Sequence, residues 1–427
     1  MRQILLVILA LCMSTLASAL SVTKCEAGKL QQLVDDCSIT QLEVSGYIDA
    51  RDFRFIADSL RHLTVLDLGN AQIKSYKGET LFANINEYAD NEVPSLALAS
   101  MLQLTHCVLP SSATRLGNGS FAGCAQLKQV ELGNSMSHIG DFAFSGCAQL
   151  ESLFVPGSLC HIGEGAFSNC QSLVSIELMP VTPGNDVTTM SSPLHIGYRA
   201  FANCPSLSVV ELGNLVNKLG DETFAASGLE TINMSSQSQL TTLPAWSLSD
   251  TPVQQVVLPP NVQTIGDGAL MGAENLSQLT LPATVNYIGS HAMAYMTGLT
   301  QLESKATEVP ELGDSVWYGV DQSTVRLKVS PQSLADYRAA AQWCNFMINA
   351  LPRGDVNADG QVDIADVNIV INLMLGKDDP DNYDGRAYLT EGDTVVDIAD
   401  VNAAINLMLG RIRALRLAAQ QAAQAHP

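Results

Sequence analysis

His138-Ile139-Gly140-Asp141-Phe142-Ala143-Phe144-Ser145-Gly146-Cys147 returns 23 residues later as His161-Ile162-Gly163-Glu164-Gly165-Ala166-Phe167-Ser168-Asn169-Cys170. Outward from this pair, a Gly after an apolar residue marks further copies at Gly117, Gly197, Gly220, Gly266, Gly289 and Gly313, and Pro244 fills the one gap. The usual step is 23 residues; the step from Gly163 to Gly197 is 34, and the insertion falls in Val181 to Ser192, whose Pro, Gly, Asn, Asp, Thr and Ser mark a loop. Four residues beyond each mark stands a large apolar side chain: Phe121, Phe144, Phe167, Phe201, Phe224, Leu248, Leu270, Met293 and Trp317. A short strand pattern follows, as in Val130-Glu131-Leu132, Val256-Val257-Leu258 and Leu279-Thr280-Leu281. A unit this short cannot bury its apolar face alone, whereas stacked copies share one continuous core, so the period predicts an elongated solenoid.

Composition bounds the setting. Arg2, the apolar run Ile4 to Leu11 and the small-residue site Ala17-Ser18-Ala19 read as a Sec signal peptide cut near Leu20, so the expected location is secreted or at the cell surface. No later stretch reaches the length of apolar sequence that a membrane span needs. The formal charge of -21 argues against nucleic acid or anionic lipid as a general partner. Ten cysteines are present, but Cys124, Cys147, Cys170 and Cys204 recur at one phase of the repeat. That phase favours small buried residues over disulfides or metal ligands. Cys25 and Cys37 fall outside it and leave a disulfide between them open.

The Gly, Phe and Cys columns over about residues 40 to 350 resemble the BspA-type leucine-rich repeats of surface proteins from anaerobic bacteria. The resemblance implies an α/β repeat solenoid with short strands in a parallel sheet. Gly46 to Ile73 is similar to that family's N-terminal opening segment, and Leu327 to Ile348, with Tyr337, Trp343 and Phe346, to its helical closing cap.

Beyond the cap the chain turns acidic: residues 353–411 hold eleven Asp and one Glu against four Lys or Arg, a net -8. Asp355, Asn357, Asp359, Gly360, Gln361, Asp363 and Asp366 take positions 1, 3, 5, 6, 7, 9 and 12 of a calcium loop. Hard oxygen donors must converge on one ion, Gly permits the sharp turn, and Gln361 can offer its backbone carbonyl. The segment repeats after 34 residues: Asp363-Ile364-Ala365-Asp366-Val367-Asn368 recurs as Asp397-Ile398-Ala399-Asp400-Val401-Asn402. Two such loop-helix halves resemble a type I dockerin, a small all-α module with calcium as its cofactor. The second half departs from the pattern, with Leu389 at position 1, Glu391 at position 3 and Thr394 in place of Gly, leaving Asp393, Asp397, Asp400 and the carbonyl of Val395. The resemblance implies attachment to a cohesin-like protein through Ile364, Ala365, Ile398 and Ala399.

One surface column stands out, just before the buried residue and the Gly: Arg115, His138, His161, His195 and Lys218, continued by Thr242, Thr264 and Tyr287. Stacked coils at strand spacing would line these groups up. The column reads as solvated surface, as an anion-reading row that charges below neutral pH, or as a zinc site of His138, His161 and His195. Catalysis needs a few unlike groups converging in a pocket, while a solenoid displays like residues in rows, so no enzyme is expected. The sequence divides into a signal peptide (1–19), an N-terminal cap with first repeats (20–92), a solenoid with its closing cap (93–352), the dockerin-like segment (353–411) and an Ala/Gln-rich tail (412–427). The resemblances imply an adhesin-like binder of extracellular protein or glycan, or else a component of a polysaccharide-degrading complex.

Overall fold

The computed structural model describes residues 18–177, 193–212, 216–234 and 238–348, and beyond these 354–357, 361–379, 383, 387, 389 and 395–410. Residues 1–17 of the expected signal peptide, the insertion at 181–192, the expected boundary at 352/353 and the tail lie outside the described residues. The chain divides into two compact units, 1–300 with 310–321, and 301–309 with 322–427.

The first unit is a parallel β-solenoid in which each coil gives one short strand to each of two sheets. One sheet runs through Ala19–Cys25, Gln41–Ile48, Val65–Asp67, His106–Val108 and Gln129–Glu131. The same phase continues as Ser152–Phe154 beside Ser175–Glu177, and as Val209–Leu212, Thr231–Met234 and Gln255–Val257. Alternation decides what faces inward: Leu66, Cys107, Val130, Leu153, Val210 and Ile232 are buried, and neighbours such as Gln129, Glu131 and Phe154 are exposed.

The expected α/β architecture is corrected to a β-solenoid with little helix. Positions 2 and 6 after each mark have positive φ in every coil, from Leu96 and Ser100, through Phe142 and Gly146, to Ser315 and Gly319. Two left-handed residues within five leave no room for a helical run. The first of these pairs reveals a copy marked by Pro94, which a search for Gly passes over. Close approach explains the mark itself: a Cβ on Gly163 would lie 2.6 Å from Asp141 N of the preceding coil.

The core is a set of ladders. The rings of Phe121, Phe144, Phe167, Phe201 and Phe224 stack at centroid spacings of 5.1, 5.2, 5.2 and 5.5 Å, nearly parallel. The thiols of Cys124, Cys147, Cys170 and Cys204 donate to the carbonyls of Leu98, Phe121, Phe144 and Phe167. Burial pushes Cys124 and Cys204 up to about 12, so these are inert donors. Cys25 is buried, Cys37 is exposed, and both are free. At the N-terminal end the helix Ala50–Ser59 starts in a capping box of Asp49 and Asp52. Buried Asp52 also accepts from Gly28 N and Leu30 N, which ties the preceding segment down. An antiparallel hairpin, Tyr76–Phe82 with Ile85–Tyr88, interrupts the coils there and has no counterpart in the repeat pattern.

In the second unit, Gln301–Ser304, Arg326–Lys328 and Met347–Ile348 pair in parallel. Among the described residues the cap contains one short α-helix, Leu334–Ala339, flanked by the 3-10 turns Pro331–Ser333 and Trp343–Asn345, and its core is aromatic: Tyr337 meets Trp343 edge-on at 5.1 Å and shares a 2.7 Å hydrogen bond with Ser304. Further along, Ile364–Met374 and residues 398–410 are helical. Val356, Val367, Val370, Leu373, Leu389, Val396, Val401 and Ala404 form one buried cluster, with Leu407 and Met408 partly buried against it. Among the described residues no helix is long and apolar enough to cross a membrane.

Candidate functional site

The basic column sits on the other sheet of the solenoid. Glu92–Val93, Arg115–Leu116, His138–Ile139, His161–Ile162, Leu194–Ile196 and Val216–Leu219 are neighbours in that order. The inward residue of each is buried: Val93, Leu116, Ile139, Ile162, Ile196 and Leu219. The preceding residue therefore faces out, and the register places Arg115 beside His138, His138 beside His161, His161 beside His195 and His195 beside Lys218. The imidazole centroids are 5.8 Å apart for His138 and His161 and 5.2 Å for His161 and His195. Arg115 and Lys218 are exposed, and the three histidines are half-buried.

The electrostatics follow from that spacing. Burial first, then Arg115 and His161, hold His138 below the ordinary histidine range. Burial first, then Lys218 and His161, do the same for His195. Ser137 Oγ donates to Thr114 O at 2.9 Å and lies 2.8 Å from His138 Nδ1. With its own proton committed, the hydroxyl receives the Nδ1 proton, which leaves Nε2 of neutral His138 as the acceptor. The rings form a line, and among the described residues no three His, Cys, Asp or Glu groups converge as a metal site, so the zinc reading gains no support. Glu92 occupies the same phase beside Arg115 and ends the row with a carboxylate. Sequence reasoning missed it because Pro94 stands where the repeat marker should be Gly. A second sheet of four short strands carries the phase on through Thr242, Thr264 and Tyr287 to Glu311.

Of the expected calcium ligands, Asp359, Glu391 and Asp393 lie outside the described residues. Asp355, Asp366 and Asp400 are buried, whereas Gln361 and Val395 are exposed. Asp366 Oδ1 accepts from Val356 N at 2.7 Å and Asn357 N at 3.1 Å, and Oδ2 from Asp363 N at 2.9 Å. Asp400 repeats the device, accepting from Leu389 N at 2.6 Å and Asp397 N at 3.0 Å. Asp363 and Asp397 cap the helices through Ala365 N and Ala399 N. Leu389 is 3% exposed and belongs to the apolar cluster. Of the expected partner-binding residues, Ile364 and Ile398 are each 60% exposed, Ala365 is exposed and Ala399 half-buried.

The family described as BspA type Leucine rich repeat region matches residues 91–192 and 194–324 in six copies, more than half of the chain. Among solved structures, the chain is similar to a leucine-rich cell surface protein from Faecalibacterium prausnitzii A2-165, at 21% identity over 62% of this chain and 79% of that one, with a TM-score of 0.34. It is also similar to the pneumococcal vaccine antigen PcpA, at 19% identity over 66% and 82% of the two chains, TM-score 0.29. A leucine-rich repeat protein from Bacteroides ovatus ATCC 8483 matches at 17% identity over 62% and 88%, TM-score 0.24. No curated protein matches the chain. The assignment rests on the repeat match, which covers the coils that carry the Gly, Phe and Cys columns: the chain belongs to the family of BspA-type leucine-rich-repeat proteins.

Proposed function

We propose that the protein is a secreted or cell-surface, non-enzymatic recognition protein of adhesin type, whose solenoid binds acidic protein segments or acidic glycans along the row from Arg115 to Lys218. The observation that carries this reading is the side-by-side pairing of Arg115, His138, His161, His195 and Lys218 across five neighbouring strands of a chain whose net charge is -21. Two fixed cations flank three imidazoles, so an incoming anion gains from the cations and draws protons onto the rings. A pull-down with the full chain, run beside a glycan array, tests the reading. Retention of acidic proteins or acidic sugars supports it, and retention of neither overturns it.

The acidic C-terminal segment is proposed as the attachment device of the same protein, binding calcium in its first half and a cohesin-like partner through Ile364, Ala365, Ile398 and Ala399. The donor set fits calcium in the first half by residue type and spacing: Asp355, Asn357, Asp359, Asp363 and Asp366 are hard oxygen donors at calcium-loop positions, although among the described residues no three carboxylates already converge on one point. When bound, calcium would supply the counter-charge that lets these carboxylates crowd together. The second half fits less well, because Leu389 is committed to the apolar cluster. Exposed isoleucines at equivalent places in both halves favour an apolar docking patch there. Calorimetric titration of the chain with calcium tests this part, and the absence of any calcium binding overturns it.

A further inference from the structure

In the turns that follow the strands of the basic row, the coils marked Gly197, Gly220 and Pro244 frame an open cleft of about 310 Å³. Six of its lining residues are Arg199, Asn203, Glu222, Ala226, Trp246 and Asp250. These six are the residues at positions 2 and 6 of three successive coils, and all six have positive φ, between 52° and 57°. On one side the next coil relieves the same backbone with glycine at both positions, Gly268 and Gly272, and on the other the coil marked Gly163 does so only at the first, Gly165. A side chain at a left-handed position costs more than glycine would there. The coils marked Pro94 and Gly289 also lack glycine at both positions, with Leu96 and Ser100 and with His291 and Tyr295; here three successive coils do so and place five large or polar side chains around one opening.

The chemistry of the opening is specific. Trp246 is 37% exposed, and its ring lies flat on Gly268, where a Cβ would come within 2.5 Å of Cε3. The ring is thereby packed against the next coil, and Trp246 also lines the cleft. Arg199 Nε pairs with Glu222 Oε2 at 3.3 Å, and Tyr198 Oη donates to Glu222 Oε1 at 2.7 Å, so the carboxylate is held in one orientation. Asn203 and Asp250 are exposed at the same mouth. A pyranose offers an apolar face of C–H groups and a rim of hydroxyls that both donate and accept, which is the complement of one aromatic plane ringed by a guanidinium, an amide and two carboxylates. We propose that this cleft is a neutral saccharide subsite, with the sugar ring stacked on Trp246 and its hydroxyls bonded by Arg199, Asn203, Glu222 and Asp250.

The site shares no residue with the basic row, so the two readings fail separately. Trp317 is 4% exposed and Trp343 1%, so fluorescence changes on binding report mainly on Trp246. The full chain is titrated with cellotetraose, xylotetraose, mannotetraose and chitotetraose, followed by fluorescence and calorimetry. At least one should shift the emission saturably. Trp246→Gly should weaken that sugar more than about tenfold while keeping or raising the melting temperature, since glycine suits the backbone there. Trp246→Phe should keep most of the binding, and replacing His138, His161 and His195 by Thr should leave it unchanged. Failure of all four sugars to bind, or binding that survives Trp246→Gly, overturns the proposal.

Discussion

At the scale of the residue, the protein spends its side chains on repetition. Phe144 lies between Phe121 and Phe167 with no exposure, and truncation to Ala leaves a cavity that the stacked rings on either side cannot collapse into. Phe144→Ala should therefore cost about 3 to 5 kcal/mol, read by denaturant unfolding. The left-handed positions give a sharper contrast. Ala226 has φ 53° and an exposed side chain, so Ala226→Gly should stabilise by about 1 kcal/mol, and Gly123→Ala, at φ 73°, should destabilise by a similar amount. Equal effects of both changes would mean that the turns relax in solution. The Phe and Cys columns were legible in the sequence because each coil repeats one residue type. The left-handed columns were legible only where the residue is Gly or Asn, since Arg199, Glu222 and Trp246 give no local sign of their backbone.

At the scale of the element, the three short strands that carry the histidines couple charge to stability. His138 and His195 hold folded-state values below the ordinary 6.5, chiefly by burial. Between that lowered value and 6.5 the folded chain binds fewer protons than the unfolded chain, so stability rises with pH in this window and falls as pH drops below 6.5. Melting temperatures measured from pH 7.5 down to 5 should show that decline, and replacing His138 and His195 by Thr should flatten it. In the C-terminal segment, Asp366 accepts three backbone N–H bonds, so Asp366→Ala should destabilise its loop by about 1 to 3 kcal/mol even without calcium. Calcium should raise the melting temperature of the wild-type segment; Asp366→Ala should remove most of that rise and Asp400→Ala less. Two equal sites by calorimetry would contradict this ordering. The hairpin Tyr76–Phe82 with Ile85–Tyr88 escaped sequence reading for the opposite reason to the ladders: it is an insertion that follows no period.

At the scale of the whole molecule, the period of 23 residues was enough to predict a solenoid, but not that the return path lacks helix, because that depends on paired left-handed residues whose identities vary. The basic row was legible because the spacing alone fixes register: five residues read off at one phase stand side by side on adjacent strands. Its boundary with Glu92 was not, because the copy marked by Pro94 hides its phase. A row of this kind acts through charge, so its binding should weaken as salt is raised. The most direct test measures the affinity of the full chain for a poly-glutamate peptide and for polygalacturonate at pH 7.5 and 5.5, beside the chain with His138, His161 and His195 all replaced by Thr. One or both ligands should bind the wild type more tightly at pH 5.5, and the triple variant should fold normally but lose that gain. Affinities that do not change with pH, or a variant that keeps the gain, would contradict this reading.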